Sequence, residues 1–378
     1  MLFSCVPWEG HYRPLVPLAR VLAERGHEVA FATAPSSEER AREDGFAVLR
    51  AGPGEREVRE QFAPLREQVF ALPPEARRPH QFSALFARIY APAKIADLLD
   101  AARTWRPDAI VFDSCDLAAP LAAAATGLSA VNHSFGVMIP AAALEASRPW
   151  LDPLWEAEGL EPDSWAGAFR GLFVDLAPES FAWERPQGHV VRMRPAADAP
   201  GLPPPWLDEL EPPLVYVTLG TVYGDPELFR PLLEGLDGHG SALVTLGRSG
   251  DPAALEPLPP RVRVERFVPQ AHVLPRCAAV VSHGGSGTTL GALSHGLPLV
   301  LVPQAADQFD NAARAEAVGA AVVLRPGDVT PDAVRAALGR VLGAPEFAEA
   351  ARRVAGEIDE MATVEQAATV VEEHAARG

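Results

Sequence analysis

The stretch of this chain best suited to chemistry is His283-Gly284-Gly285-Ser286-Gly287-Thr288-Thr289, with Asp307-Gln308 following downstream. The apolar run from Ala278 to Val281 ahead of it reads as a buried strand, and a helix starting near Ser286 is predicted to run to about His295. A strand, a glycine turn and a helix start together make an anion site. The first N–H groups of the helix lack carbonyl partners, and the helix dipole adds positive potential at the same end. Glycines let a phosphate approach the backbone closely, and His283 supplies a side-chain donor. The expected ligand is therefore phosphorylated. A dinucleotide is disfavoured, because Leu290 stands where the last glycine of G-x-G-x-x-G belongs and no strand-end acid follows about 20 residues on.

Such a turn needs a sheet to hold it, and the chain alternates strands and helices on both sides of a proline-rich middle. In the first half, Leu2 to Val6, Glu28 to Thr33, Ala109 to Phe112 and Ser129 to Asn132 read as strands. Helices are expected from Pro14 to Arg25, around Phe82 to Thr104, and over the alanine-rich Asp116 to Thr126. Periodicity fades from Pro140 to about Arg194, where Trp150, Trp155, Trp165, Phe169, Phe173, Phe181 and Trp183 crowd together, either as core or as an apolar wall for a flat ligand. A proline cluster then reads as a stiff linker. Strands resume at Leu214 to Leu219, Ala242 to Leu246, Val262 to Val264, Leu299 to Val302 and Ala320 to Leu324, with helices between and after them. This βαβ alternation implies parallel sheets, with ligands beyond the carboxyl ends of the strands.

Composition narrows the function further. The chain has 378 residues and a formal charge of −17, which suits two domains and argues against nucleic acid and anionic membranes as partners. Three scattered cysteines (Cys5, Cys115 and Cys277) fit neither a disulfide framework nor a zinc pattern, and Cys5 and Cys277 read as small buried thiols. With no charged leader and no apolar run long enough to span a bilayer, a reduced cytoplasm is the expected location. Lys94 is the only lysine, which leaves little room for a P-loop lysine or a Schiff base.

Phe267-Val268-Pro269-Gln270, His283 through Thr288, and Asp307-Gln308, in this order and spacing, resemble the nucleotide-sugar signature of the GT-B-fold family 1 glycosyltransferases. The likeness is strongest to bacterial enzymes that attach sugars to polyketide and other secondary-metabolite aglycones. It implies an α/β fold of two Rossmann-like domains facing across a deep cleft. It also implies that His283 bonds the pyrophosphate with Ser286, Gly287 and Thr288 at the helix start, and that Thr221 lines the same side. Phe267 then stands where the family stacks a ring on the base, Val268 where the backbone holds the base edge, and Gln270 where ribose or base is contacted. Asp307 and Gln308 would hold sugar hydroxyls. Phe267 and Val268 also read as plain core, and Asp307 as a helix cap.

The family's UDP-sugar users often carry a glutamate eight positions after the histidine, on the ribose hydroxyls; here that position is Gly291, which suggests a dTDP-linked donor. Gly10-His11-Tyr12-Arg13-Pro14 resembles the loop carrying the family's catalytic base. A neutral imidazole there takes the proton of an acceptor hydroxyl as the new bond forms. Asp113, at a strand end, is expected to orient His11, with Asp116 as a rival that also reads as the N-cap of the alanine-rich helix. Tyr12, His133 and Trp150 are expected on the acceptor side, His133 equally as a packing residue. No D-x-D metal motif is present, so no metal ligand and no cofactor are assigned.

These readings give an acceptor-binding domain over residues 1–198, a linker over 199–213, a nucleotide-sugar domain over 214–360, and a C-terminal helix over 361–378 that packs back on the first domain. The expected activity is inverting, metal-independent transfer of a (deoxy)sugar from a dTDP- or UDP-sugar to a hydrophobic aglycone. A sugar-nucleotide epimerase and a non-catalytic nucleotide-sugar-binding partner protein are the alternatives. The sequence leaves sugar, aglycone, glycosidic linkage and oligomeric state open.

Overall fold

Continuous apolar runs build the centre of both halves of the chain. A computed structural model describes residues 1–72, 74–196, 201–220, 226–247 and 250–377. The chain divides into two units. The first comprises Met1–Leu176, Ala182–Arg194 and the chain from Ala362 on; the second comprises Ala177–Phe181 and Pro195–Met361.

In the first unit the strands are β1 (Leu2–Ser4), β2 (Ala30–Thr33), β3 (Ala47–Arg50), β4 (Ala109–Asp113), β5 (Ser129–His133), β6 (Leu172–Asp175) and β7 (His189–Arg192). They form one parallel sheet in the order β3-β2-β1-β4-β5-β6-β7. Central strands are buried on both faces, whereas the edges β3 and β7 are partly exposed, as a sheet covered by helices requires. The same partial exposure hides β3 and β7 from a pattern search, and the short β6 lies inside the aromatic stretch. That stretch is mostly core: Trp155, Phe173 and Phe181 are buried, while Trp150 and Trp183 are exposed. The helix expected around Phe82 to Thr104 is interrupted by a π-helical segment, Ser83–Tyr90, ahead of Ala91–Trp105. Pro92 explains it. Proline has no N–H to offer the preceding turn, and widening that turn relieves the conflict.

The second unit contains β8 (Leu214–Thr218), β9 (Ser241–Thr245), β10 (Val262–Glu265), β11 (Cys277–Ser282), β12 (Leu299–Leu301) and β13 (Ala321–Val323). This sheet is also parallel, in the order β10-β9-β8-β11-β12-β13. The proline-rich segment ahead of it is docked rather than free. Leu207 is buried, Trp206 lies under the Arg263 guanidinium at 3.8 Å, and Asp208 pairs with Arg276 at 2.8 Å.

After Met361 the chain returns to the first unit. Ala362 exchanges backbone hydrogen bonds with Arg192 and Arg194, beside β7. Thr363 and Gln366 then form a capping box that starts the helix Val364–Ala375. That helix packs on the helix Val16–Glu24, and Arg25 and His27 both bond Glu372, at 2.7 and 2.9 Å.

In each sheet the strand order reverses once, between β1 and β4 and between β8 and β11. The carboxyl ends at such a reversal are where open α/β sheets bind ligands. His11 lies after β1 and Asp113 ends β4; the loops after β8 and β11 carry Gly220 and His283.

Candidate active site

In the second unit, β11 delivers His283 into a tight glycine environment. Gly220 and Gly285 flank the imidazole so closely that a methyl group on either would stand 2.8 or 2.5 Å from Nε2. Gly284 has φ +85, and a methyl there would meet the Gln308 carbonyl at 3.0 Å. The glycines thus serve the packing of the histidine. Burial drives the His283 pKa down to about 4, against upward pulls from Asp307 and the Thr218 backbone, so the ring is neutral at physiological pH. The helix Ser286–Ser294 begins beside it with no side-chain cap. At Gly287 the space outside the backbone is open. The first turn is therefore open at Gly287, between the buried Ser286 and Thr288.

Asp307 occupies the N-cap position of Gln308–Ala317 but does not cap it. Its Oδ2 accepts from Ser286 Oγ at 2.8 Å and from Asn311 Nδ2 at 2.9 Å. Asn311, fully buried, also donates to the Gly284 carbonyl at 2.8 Å and lies 3.0 Å from Ser286 Oγ. One amide thus ties the glycine loop to the acid. Sequence reasoning missed Asn311, although its place four residues after Asp307 on one helix face was the available signal. Gln308 is buried, and its Oε1 accepts the N–H groups of Gln304 and Ala305. Gln270 donates to Thr288 Oγ1 at 2.9 Å. Val268 is buried, whereas Phe267 is 44% exposed on an open groove formed with Pro252, Glu265 and Arg266, which rules out a plain core role for its ring. Thr221 lies outside the described residues.

In the first unit, His11 sits in the short helix Glu9–Tyr12 after β1, and Asp113 ends β4. His11 Nδ1 and Asp113 Oδ1 are 2.8 Å apart. The Asp113 carboxylate also accepts the Cys115 N–H (3.2 Å) and the Val6 N–H (3.3 Å), which fix its orientation. The rings of Phe135, Trp8 and Phe86 surround the imidazole at centroid distances of 4.4, 5.9 and 6.0 Å.

Asp116 has a different task. It is buried, accepts from Ser4 Oγ at 2.7 Å, and pairs with Lys94 Nζ at 2.6 Å. Lys94, itself fully buried, also donates to the carbonyls of Cys5 (3.0 Å) and Ala32 (3.2 Å). The lone lysine therefore staples the ends of β1 and β2 to the loop after β4. Asp116 does not cap the alanine-rich helix, whose N-cap is Leu117 with no side-chain bond.

Tyr12 does not line the site. Its hydroxyl donates to Asp44 at 2.7 Å and its buried ring packs on Phe31. Neighbours on a helix point about 100° apart, so Tyr12 turns inward where His11 turns outward. His133 is buried too. Its Nδ1 donates to the Ser134 carbonyl at 2.7 Å, and burial lowers its pKa to about 4. Trp150 is exposed, with the Arg88 guanidinium 4.6 Å over its ring.

Residues 20–208 and 240–376 match the N- and C-terminal domains of the family described as erythromycin biosynthesis protein CIII-like. The chain is 35% identical to an L-demethylnoviosyl transferase of Streptomyces niveus, over 94% of this chain and 93% of that protein. It is 33% identical to the elloramycin glycosyltransferase ElmGT of Streptomyces olivaceus, over 95% and 93%. The chain belongs to the family 1 secondary-metabolite glycosyltransferases. The crystal structure of the glycosyltransferase VinC in complex with dTDP superposes on this glycosyltransferase with a TM-score of 0.82, at 26% identity and over 100% of both chains. Two parallel-sheet α/β domains of the GT-B type are thereby established for it.

Proposed function

We propose that this glycosyltransferase transfers a (deoxy)sugar from a dTDP-linked donor to a hydroxyl of a hydrophobic acceptor, with inversion and without a metal cofactor. The observation that carries the mechanism is the 2.8 Å contact between His11 Nδ1 and Asp113 Oδ1. A carboxylate accepting from Nδ1–H leaves the lone pair on Nε2, the nitrogen that must take the acceptor's proton, and stabilises the imidazolium that results. Trp8, Phe86 and Phe135 make the surroundings of His11 apolar, which suits a planar, greasy acceptor.

On the donor side, the uncapped helix start and the neutral His283 donate to the diphosphate as negative charge gathers on it during departure. Phe267 offers its exposed ring to the base, and Gln270 and Val268 flank it. Asp307 and Gln308 hold the sugar hydroxyls on this reading, which is supported by the contacts that fix their side chains, from Asn311 and from the Gln304 and Ala305 N–H groups. Gly291 favours thymidine. A side chain there would start 3.3 Å from Leu274 Cδ1, a tight contact that a ribose-binding glutamate could take only with a small shift of Leu274.

His11→Ala tests the base. Transfer should fall about 100- to 10,000-fold while dTDP binding is unchanged, and full retained activity would refute the assignment. Competition between dTDP and UDP tests the donor; much tighter UDP binding would overturn the thymidine reading.

A further inference from the structure

We propose that His11, Asp113 and Cys115 form a binding site for Zn2+ at which the metal inhibits the enzyme. A ring nitrogen of His11, a carboxylate oxygen of Asp113 and Cys115 Sγ lie within 4.8 Å of one another. The three lie at the carboxyl ends of β1 and β4, where the strand order reverses, and they span the imidazole, carboxylate and thiolate ligands that Zn2+ takes in tetrahedral sites. Zinc bonds of about 2.0–2.3 Å place ligand atoms about 3–4 Å apart, so small side-chain rotations close the set. Asp113 is already oriented by the N–H groups of Val6 and Cys115, which act as an outer shell. His11 is partly exposed and gives the ion a way in, whereas Cys115 is buried beneath it. A fourth position stays open for water.

The exchange balances as follows. Bonds form from Zn2+ to His11 Nδ1, an Asp113 oxygen and Cys115 Sγ. The Cys115 S–H proton passes to solvent, and the proton on His11 Nδ1 is replaced by one on Nε2. No electron changes hands. The ion thereby occupies the nitrogen that faces Asp113 and puts a proton on the nitrogen that should accept one. Metal binding stands independently of the proposed reaction; only the inhibition rests on His11 being the base. Mg2+, a hard cation that prefers oxygen ligands, should neither bind nor inhibit.

The test titrates the full chain with ZnCl2 by calorimetry and with CoCl2 by absorbance. One equivalent should bind, with proton release and a cobalt–thiolate charge-transfer band. Cys115→Ser, its fold checked by circular dichroism, should lose the band and bind Zn2+ at least about tenfold more weakly, whereas Cys277→Ser should keep both. If Cys115→Ser does not fold, His11→Asn provides the same loss of Zn2+ affinity from a partly exposed position. Absence of one-equivalent binding, a band that survives Cys115→Ser, or undiminished Zn2+ affinity in His11→Asn would overturn the site. In a transfer assay, Zn2+ should inhibit the parent enzyme and spare Cys115→Ser. Binding without inhibition would leave the site intact and remove His11 as base.

Discussion

His133 and His283 are both held neutral by burial, each with a pKa lowered to about 4 from an ordinary value of 6.5. Between those values the unfolded chain takes up protons that the folded chain does not. Stability from these groups is therefore complete above about pH 6.5, falls as pH drops, and is fully lost below about pH 4. His133→Asn should flatten this dependence. The measurement is the urea midpoint at pH 7 and pH 5, and an unchanged difference between the two would contradict a buried, neutral His133. At this scale the contact of His11 with Asp113 and the tie between Asp307 and the glycine loop beside His283 lie where a motif drew attention to them. Contacts between distant residues that no motif announces were illegible. Lys94 bonds the carbonyls of Cys5 and Ala32, and nothing in the run Ala91 to Trp105 announces that. Tyr12 shows the converse, since it adjoins His11 in sequence yet points into the core.

Among elements, the strand ends around β1, β2 and β4 are held by a buried ion pair in addition to apolar contact. Lys94→Met alone strands the Asp116 carboxylate in the interior and should cost about 3–5 kcal/mol, whereas Lys94→Met with Asp116→Leu removes both charges and should recover most of it. Urea denaturation of the two variants decides this, and a fully stable single variant would show that the pair carries no such weight. The parallel sheets were foreseeable because β1, β4, β8 and β11 are short apolar runs bounded by turn residues. β3 and β7 escaped because edge strands keep polar residues, as in His189 and Arg192. The π-helical segment before Pro92 escaped because helical periodicity records which face is apolar and not how wide each turn is.

For the molecule as a whole, each unit repeats one plan: a parallel sheet with a single reversal and a histidine beside it. The sequence suggested that the last helix packs back on the first domain but not what attaches it there: Arg25, His27 and Glu372 make that contact between opposite ends of the chain. One feature also sets how the folded protein meets amine-reactive reagents. Of 33 lysines and arginines only one is lysine, and Lys94 is wholly buried. The native surface therefore carries arginine in place of lysine and offers acylating reagents no lysine side chain. In native buffer such a reagent should label the partly buried Met1 amine and leave Lys94 untouched. Acylation of Lys94, followed by peptide mass, then counts openings of the first unit one molecule at a time. Equal labelling rates for Lys94 and Met1 would contradict its burial.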